Sequence, residues 1–319
     1  MRLELELVKR ANSTLNNLQN KKERNQMKII VSFSGGKDSQ ACLIQAANKY
    51  GADKIEAVFC DTGWEHPDTY KHIQDVCQLL GVKLTIIRNE KVGNFQDMCR
   101  RMKCFPVASR RVCTVMLKIQ PMIDWVISHD ENFILIQGIR GKESASRAKM
   151  EPECSYFKEY FNADKGMRLY RKKTVLEWCK KHDASVLRPI FDWTAQQVID
   201  YILKNGQQPN PLYKRGASRV GCFPCIMSRK GEIRVLSKDK IMTDRLIQLE
   251  KEVDSLGQKN HAGFFPKGYI PERFCREYGD GCPTVQEVID YVNRDDAMID
   301  MFEPEGGYSC MSLYHGLCE

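Results

Sequence analysis

Between residues 28 and 139 the chain alternates short β-branched runs with longer stretches whose apolar positions recur every three or four residues. Lys28 to Phe33, Lys54 to Cys60, Lys83 to Arg88 and Phe133 to Ile139 read as strands. Gln40 to Tyr50, Pro67 to Leu80 and Pro121 to Ser128 read as helices, with Pro67 at a first-turn position. Continuous apolar strands separated by helices predict an α/β fold with a doubly wound parallel sheet covered on both faces. Ligands in such sheets bind beyond the carboxyl ends of strands, near a reversal of strand order. The segment Ser34 to Ser39, Asp61 and Arg140 fall at such ends.

Ahead of this region, Leu3, Leu7 and Ala11 share one helical face with Val8 and Leu15 alongside, which predicts an amphipathic helix. After about Tyr160 the alternation fades. Thr194 and Gln197 form a capping-box pattern that opens a helix over Ala195 to Lys204, and a further helix is expected over Thr243 to Leu256. From Asn210 onward the chain is rich in Gly, Pro, Cys and Arg. The pattern divides into an N-terminal helix (1–27), a strand-and-helix unit (28–205) and a cysteine-rich, partly helical C-terminal region (206–319).

With 42% hydrophobic and 28% charged residues in 319, the chain can bury a substantial core. No apolar run has the length of a membrane span, and residues 1–26 are too charged for a signal peptide, so a cytoplasmic protein without a membrane partner is expected. The net charge of +8 favours an anionic ligand and allows nucleic acid as a partner. Basic residues cluster at Arg168, Arg171, Lys172 and Lys173, at Lys214, Arg215 and Arg219, and at Arg229 and Lys230. Fourteen cysteines in a reducing compartment point to metal ligation or redox chemistry for some of them. Cys42 and Cys77 lie in apolar helices and read as small core residues.

The first strand breaks into Ser34-Gly35-Gly36-Lys37-Asp38-Ser39 and then a helix. Paired glycines let backbone N–H groups turn into one concavity at a helix N-terminus, which suits phosphate. Lys37 adds positive charge, and Ser34 and Ser39 add hydroxyl donors. The spacing is not that of a Walker loop. Beyond the second strand, Asp61-Thr62-Gly63 offers an acid able to accept hydrogen bonds from a ribose or base. Beyond the fourth, Gly138-Ile139-Arg140 and Arg147 present guanidinium forks suited to phosphate or sulfate oxygens. Cys113 lies between Arg111 and Lys118, cations that favour its thiolate. Cys222-Phe223-Pro224-Cys225 is a Cys-x-x-Cys hairpin, able to hold a metal or to act as a redox pair. His182 and His261 lack a spacing that would complete a zinc site.

These segments, in this order and with Arg188-Pro189-Ile190, Trp193-Thr194 and Asn210-Pro211-Leu212-Tyr213 between them, resemble the phosphoadenosine phosphosulfate (PAPS) reductase family of PP-loop proteins, the N-type ATP pyrophosphatases. The resemblance covers roughly residues 28 to 230. It implies an adenine nucleotide, ATP or else adenosine phosphosulfate (APS) or PAPS, held with Mg²⁺ at Ser34, Gly35, Gly36, Lys37, Asp38, Ser39, Asp61, Thr62, Gly138, Arg140 and Arg147. Lys37, Asp38 and Arg140 are its implied catalytic groups. In APS reductases of this family cysteines hold a 4Fe–4S cluster. A similar cysteine set occurs in the sulfur-transfer subunit of DNA phosphorothioation systems. The resemblance thus implies Cys113, Cys222 and Cys225 as ligands, with a fourth among Cys104, Cys154, Cys275, Cys282, Cys310 and Cys318; turn-borne Cys282 is the preferred choice. The family's reductases carry Glu-Cys-Gly-Leu-His, whereas this chain has Tyr314-His315-Gly316-Leu317-Cys318-Glu319. That difference favours ATP pyrophosphatase chemistry coupled to sulfur transfer, with a cysteine desulfurase or thioredoxin as sulfur partner, over APS or PAPS reduction. A non-catalytic nucleotide-sensing or nucleic-acid-binding subunit is the remaining alternative.

Overall fold

A computed structural model describes residues 27–157, 170–257 and 261–294. The N-terminal helix expected over 1–27, Arg168, Cys310 and Cys318 lie outside the described residues, Met27 excepted. In chain order the main elements are β1 (Lys28–Ser32), α1 (Lys37–Tyr50), β2 (Ile55–Cys60), α2 (Pro67–Leu80), β3 (Lys83–Ile87) and α3 (Phe95–Met102). A continuous helical run over 112–127 ends in α4 (Gln120–Ile127) and is followed by β4 (Phe133–Ile136), β5 (Glu153–Ser155), α5 (Lys172–Cys179) and β6 (Ala184–Leu187). Then come α6 (Ala195–Lys204), the single turn α7 (Pro211–Lys214), α8 (Lys230–Leu236), α9 (Lys240–Leu256) and α10 (Val285–Val292).

Among the described residues six strands form one sheet in the order β3-β2-β1-β4-β6-β5, parallel except for β5, which runs antiparallel at the edge. The chain steps outward from β1 through β2 to β3, then returns to place β4 on the other side of β1. The reversal opens a crevice at the carboxyl ends of β1 and β4. Side chains alternate across the strands. Ile29, Val31, Phe59 and Ile136 pack with α1, α2 and α6 on one face, while Ile30, Val58, Phe133 and Leu135 pack with α4 and α5 on the other. Burial on both faces explains why these strands carry continuous apolar runs. Cys42 and Cys77 are buried in the first of these layers, as expected.

The alternation does not fade after Tyr160; it continues through α5, β6 and α6. β6 is hidden in the sequence because Ala184-Ser185-Val186-Leu187 is short and includes a serine, which the sheet buries opposite Ile134. Two helices begin earlier than their apolar pattern. The Asp239 carboxylate accepts the Met242 N–H at 3.1 Å and caps α9 at Lys240. α1 begins at Lys37, so Lys37, Asp38 and Ser39 form its first turn. The Thr194–Gln197 capping box is present as expected. Helices α3, α8, α9 and α10 share one apolar cluster with Trp64, Phe95, Leu117 and Phe223. The C-terminal helices therefore pack directly on loops that leave the sheet.

Glu250 on α9 is buried in that cluster region and accepts the N–H groups of Phe264 at 2.9 Å and Val285 at 2.7 Å. Burial pushes its carboxyl up to about 7, outweighing the two N–H donors, and Glu277 and Asp254 push the same way. The folded state therefore prefers the protonated acid. That contribution is complete below pH 4.5, the group's ordinary value, and is lost as pH rises through about 7. Denaturant melts between pH 5 and 8 should show a fall on the order of 2–3 kcal/mol from this group. Glu250→Gln should flatten that fall. An identical pH slope in the variant would assign the loss elsewhere.

Candidate functional site

The loop after β1 owes its shape to Gly35, which has φ of 78°. A Cβ there would stand 2.9 Å from both Thr69 Cγ2 and Ile73 Cγ1 on α2, so only glycine lets the loop lie against that helix. Ser39 Oγ donates to the Gly36 carbonyl at 3.0 Å and accepts the Ser34 N–H at 3.3 Å, folding the loop on itself. Gly36 caps α1 without any side-chain cap; of the first-turn N–H groups, that of Lys37 donates to Tyr213 Oη at 3.1 Å, and those of Asp38 and Ser39 point the helix N-terminus at an anion. A Cβ on Gly36 would make only ordinary contacts, at 3.5 Å to Ser34 Oγ and Tyr213 Oη. Gly138 is different. A Cβ there would come within 2.5 Å of the Ser39 nitrogen, so its lack of a side chain is what lets β4's end meet the start of α1.

Immediately beyond, Arg140 Nε donates to Asp38 Oδ1 at 2.5 Å, and Lys37 Nζ lies 3.4 Å from Asp38 Oδ2. Arg147 pairs with Glu143, both buried. Lys37, Asp38, Arg140, Glu143 and Arg147 thus form a chain of alternating charge with one cation in excess. Burial alone would lower the Lys37 pKa, but Tyr213, Asp38 and Glu143 outweigh it and raise it, so Lys37 is a cation at neutral pH. Asp38 is occupied by the two cations, and its carboxylate orients them.

Asp61, at the end of β2, accepts hydrogen bonds from the Gly63 N–H and Tyr70 Oη at 2.7 Å each and forms an ion pair with Arg88. Burial pushes its carboxyl up, but these donors outweigh burial and hold it below the usual range. Its role here is to fix the turn Asp61–Glu65. Thr62 Oγ1 donates to Glu65 Oε1 at 2.7 Å and lies 3.6 Å from Cys222 Sγ. The turn pairs with the Cys-x-x-Cys hairpin: the Phe223 N–H donates to the Trp64 carbonyl at 2.8 Å, and Trp64 Nε1 donates to the Pro224 carbonyl at 3.0 Å.

Between the loop and this hairpin is a largely apolar cavity of about 110 Å³. Ser34 of the loop and Thr62 of the turn after β2 line it, and Cys113, Cys222 and Cys225 all line it, together with Lys118. Cys113 stands at the head of the helical run, just before a π turn over Val115–Ile119 that carries Lys118. Burial pushes the Cys222 thiol up to about 12, with Glu65 and Cys225 adding to the shift and Lys118 opposing it. Cys222 is therefore a neutral thiol, donating to Glu65 Oε1 at 3.8 Å. The Cys225 sulfur accepts the Met227 N–H at 3.4 Å.

Cys282 does not line this cavity. It sits on the turn before α10, beside Asp280 and Cys275, where its N–H donates to Asp280 Oδ1 at 2.8 Å. The expected fourth ligand is thus misplaced, because a turn position near a glycine says nothing about which loop the turn faces. Among the described residues no three His, Cys, Asp or Glu side chains converge to hold a metal ion. Among the described residues three thiols line this cavity, one fewer than the four thiolates of a 4Fe–4S centre, and the candidate ligands Cys310 and Cys318 lie outside the described residues. Two participants escaped the sequence reading as site residues. Glu65 gives no signal of its own in the chain, and Tyr213 gives none beyond its place after Asn210-Pro211-Leu212.

The chain matches the phosphoadenosine phosphosulfate reductase domain over residues 28–228. It is 28% identical to an uncharacterized 37.8 kDa protein of Escherichia phage 186, over 91% of this chain and 96% of that protein. It is 30% identical to an uncharacterized protein of Methanocaldococcus jannaschii over 70% of this chain, spanning 41% of that relative's length. The adenosine 5'-phosphosulfate reductase of Neisseria meningitidis is 28% identical over 52% of this chain and 59% of its own. The phosphate complex of the Candida auris PAPS reductase aligns at 15% identity with a TM-score of 0.44, over 62% of this chain and 82% of that one.

The glycines of the site separate into two kinds. Gly138→Ala should cost roughly 1–3 kcal/mol in urea denaturation, because backbone on both sides must shift. Gly36→Ala should cost less than about 1 kcal/mol. Equal losses would mean that Gly36, like Gly138, is required for packing.

Proposed function

The chain belongs to the phosphoadenosine phosphosulfate reductase domain family, and we propose that it is an ATP-dependent sulfurtransferase. One observation carries this reading: a loop at a helix N-terminus without a side-chain cap, with Lys37 and Arg140 beside it, adjoins, through Ser34, a cavity lined by three thiols. ATP would lie with its phosphates on the loop. An acceptor oxygen attacks the α-phosphorus, the bond to the bridging oxygen breaks, and pyrophosphate leaves with the extra negative charge. Lys37 and Arg140, held in place by Asp38, offset that charge. In the second half, the terminal sulfur of a persulfide attacks the adenylylated carbon and the carbon–oxygen bond breaks to release AMP. A second thiol then cleaves the sulfur–sulfur bond, leaving a disulfide and the thiolated product. Two of Cys113, Cys222 and Cys225 suffice for this, with the persulfide sulfur brought by a donor protein such as a cysteine desulfurase.

A second reading has specific support in the similarity to an APS reductase. In it a thiolate attacks the sulfur of APS or PAPS, and sulfite is released after reduction by a second thiol. The two readings differ in what leaves the loop. Incubation with labelled ATP, a persulfide donor and candidate acceptors should yield AMP and pyrophosphate. Gly36→Val should remain folded and lose nucleotide affinity, since its γ-carbons would enter the loop's mouth. Sulfite formed from APS or PAPS with thioredoxin, and no ATP cleavage, would replace the first reading with the second.

A further inference from the structure

The N–H of Lys37, in the first turn of α1, already has a partner: it donates to Tyr213 Oη at 3.1 Å. The same tyrosine ring lies under the Lys37 ammonium, 5.1 Å from its centroid. The phenol is delivered from far along the chain by a segment strapped across the loop. Asn210, fully buried, donates to the Gly35 carbonyl and to Thr69 Oγ1, both at 3.3 Å, and accepts the Leu212 N–H at 3.0 Å. Gln40 Nε2 on α1 donates to Gln207 Oε1 and to the Gln208 carbonyl at 3.0 Å each. Tyr213 itself is half-buried, at the loop's open side. Its oxygen therefore stands where an incoming phosphoryl oxygen would accept the same N–H.

We propose that Tyr213 is a phosphate-contacting residue of the nucleotide site, a proposal that rests on the nucleotide reading above. A phenol hydroxyl both accepts and donates, whereas a phosphoryl oxygen only accepts. On binding, a phosphoryl oxygen takes the Lys37 N–H, and the displaced hydroxyl turns its proton onto the same phosphoryl group. The hydroxyl thereby keeps the N–H satisfied when the loop is empty and adds a charge-assisted donor when it is filled. The ligand class is a polyphosphate or phosphosulfate ester, since a neutral nucleoside offers no such acceptor at this position.

Tyr213→Phe tests this, because it keeps the ring against Lys37 and removes only the hydroxyl. Binding of inorganic pyrophosphate and of ATP is measured by calorimetry, and the pyrophosphate-induced rise in melting temperature is recorded for both proteins. The expected result is at most a small fall in the melting temperature without ligand, roughly tenfold weaker binding of both ligands, and a smaller ligand-induced rise. Equal or tighter binding by the variant would overturn the assignment, as would a lower melting temperature of the ligand-free variant with undiminished affinity. If the parent protein binds neither pyrophosphate nor ATP, the nucleotide reading itself fails and this inference with it.

Discussion

Asp38 and Arg140 meet across the gap between β1 and β4, and the site is built around that contact. The sheet's reversal puts the two chain ends side by side, and Gly138 lets them close to backbone contact. A buried pair of this kind is costly to desolvate and adds little net stability. Its effect is positional. The carboxylate holds the guanidinium and the Lys37 ammonium at the mouth of the same loop, so two cations face one anion site without being driven apart. Glu143 and Arg147 extend the alternation and keep the excess at a single positive charge.

The second constraint is the return of the chain over this site. Residues 207–213 strap the loop and then lead to the Cys-x-x-Cys hairpin, which pairs with the turn after β2. Trp64 is the pivot. It is fully buried, donates to Pro224, packs on Phe95 and carries the Arg245 guanidinium over its ring at 4.2 Å. Arg245 also donates to the Gly63 carbonyl at 2.6 Å, so α9 holds the turn from outside. Phosphate loop and thiols are thereby neighbours, though Lys37 and Cys222 are far apart in sequence. A reaction that activates with a nucleotide and finishes with sulfur needs that adjacency.

Much of this was legible in the chain. Buried parallel strands announce themselves by continuous apolar runs, and the two paired glycines before Lys37 mark the loop. Cys113, Cys222 and Cys225, singled out in the chain, line one cavity. What was not legible depended on long-range partners. β6 takes its identity from β4, since Ala184-Ser185-Val186-Leu187 alone is too short and too polar to stand out. The acid of Asp61 is visible in the chain, but its partners Tyr70 and Arg88, which orient the carboxylate, are not. Cys282 looked like a ligand because turns often carry them, and only the packing of its turn beside Cys275 reveals otherwise. Tyr213 carries an ordinary side chain whose importance comes from a strap that no local pattern predicts.

The central claim is that phosphate settles on the backbone of residues 34–39 at the switch between β1 and β4. Amide hydrogen exchange of the full chain, with and without saturating pyrophosphate, tests it most directly. The account predicts slowed exchange in the amides of residues 34–39 and 138–141, with no change along β3 at the far edge of the sheet. Exchange unaltered at the loop while pyrophosphate binds, or protection confined to the basic residues of the C-terminal helices, would contradict it.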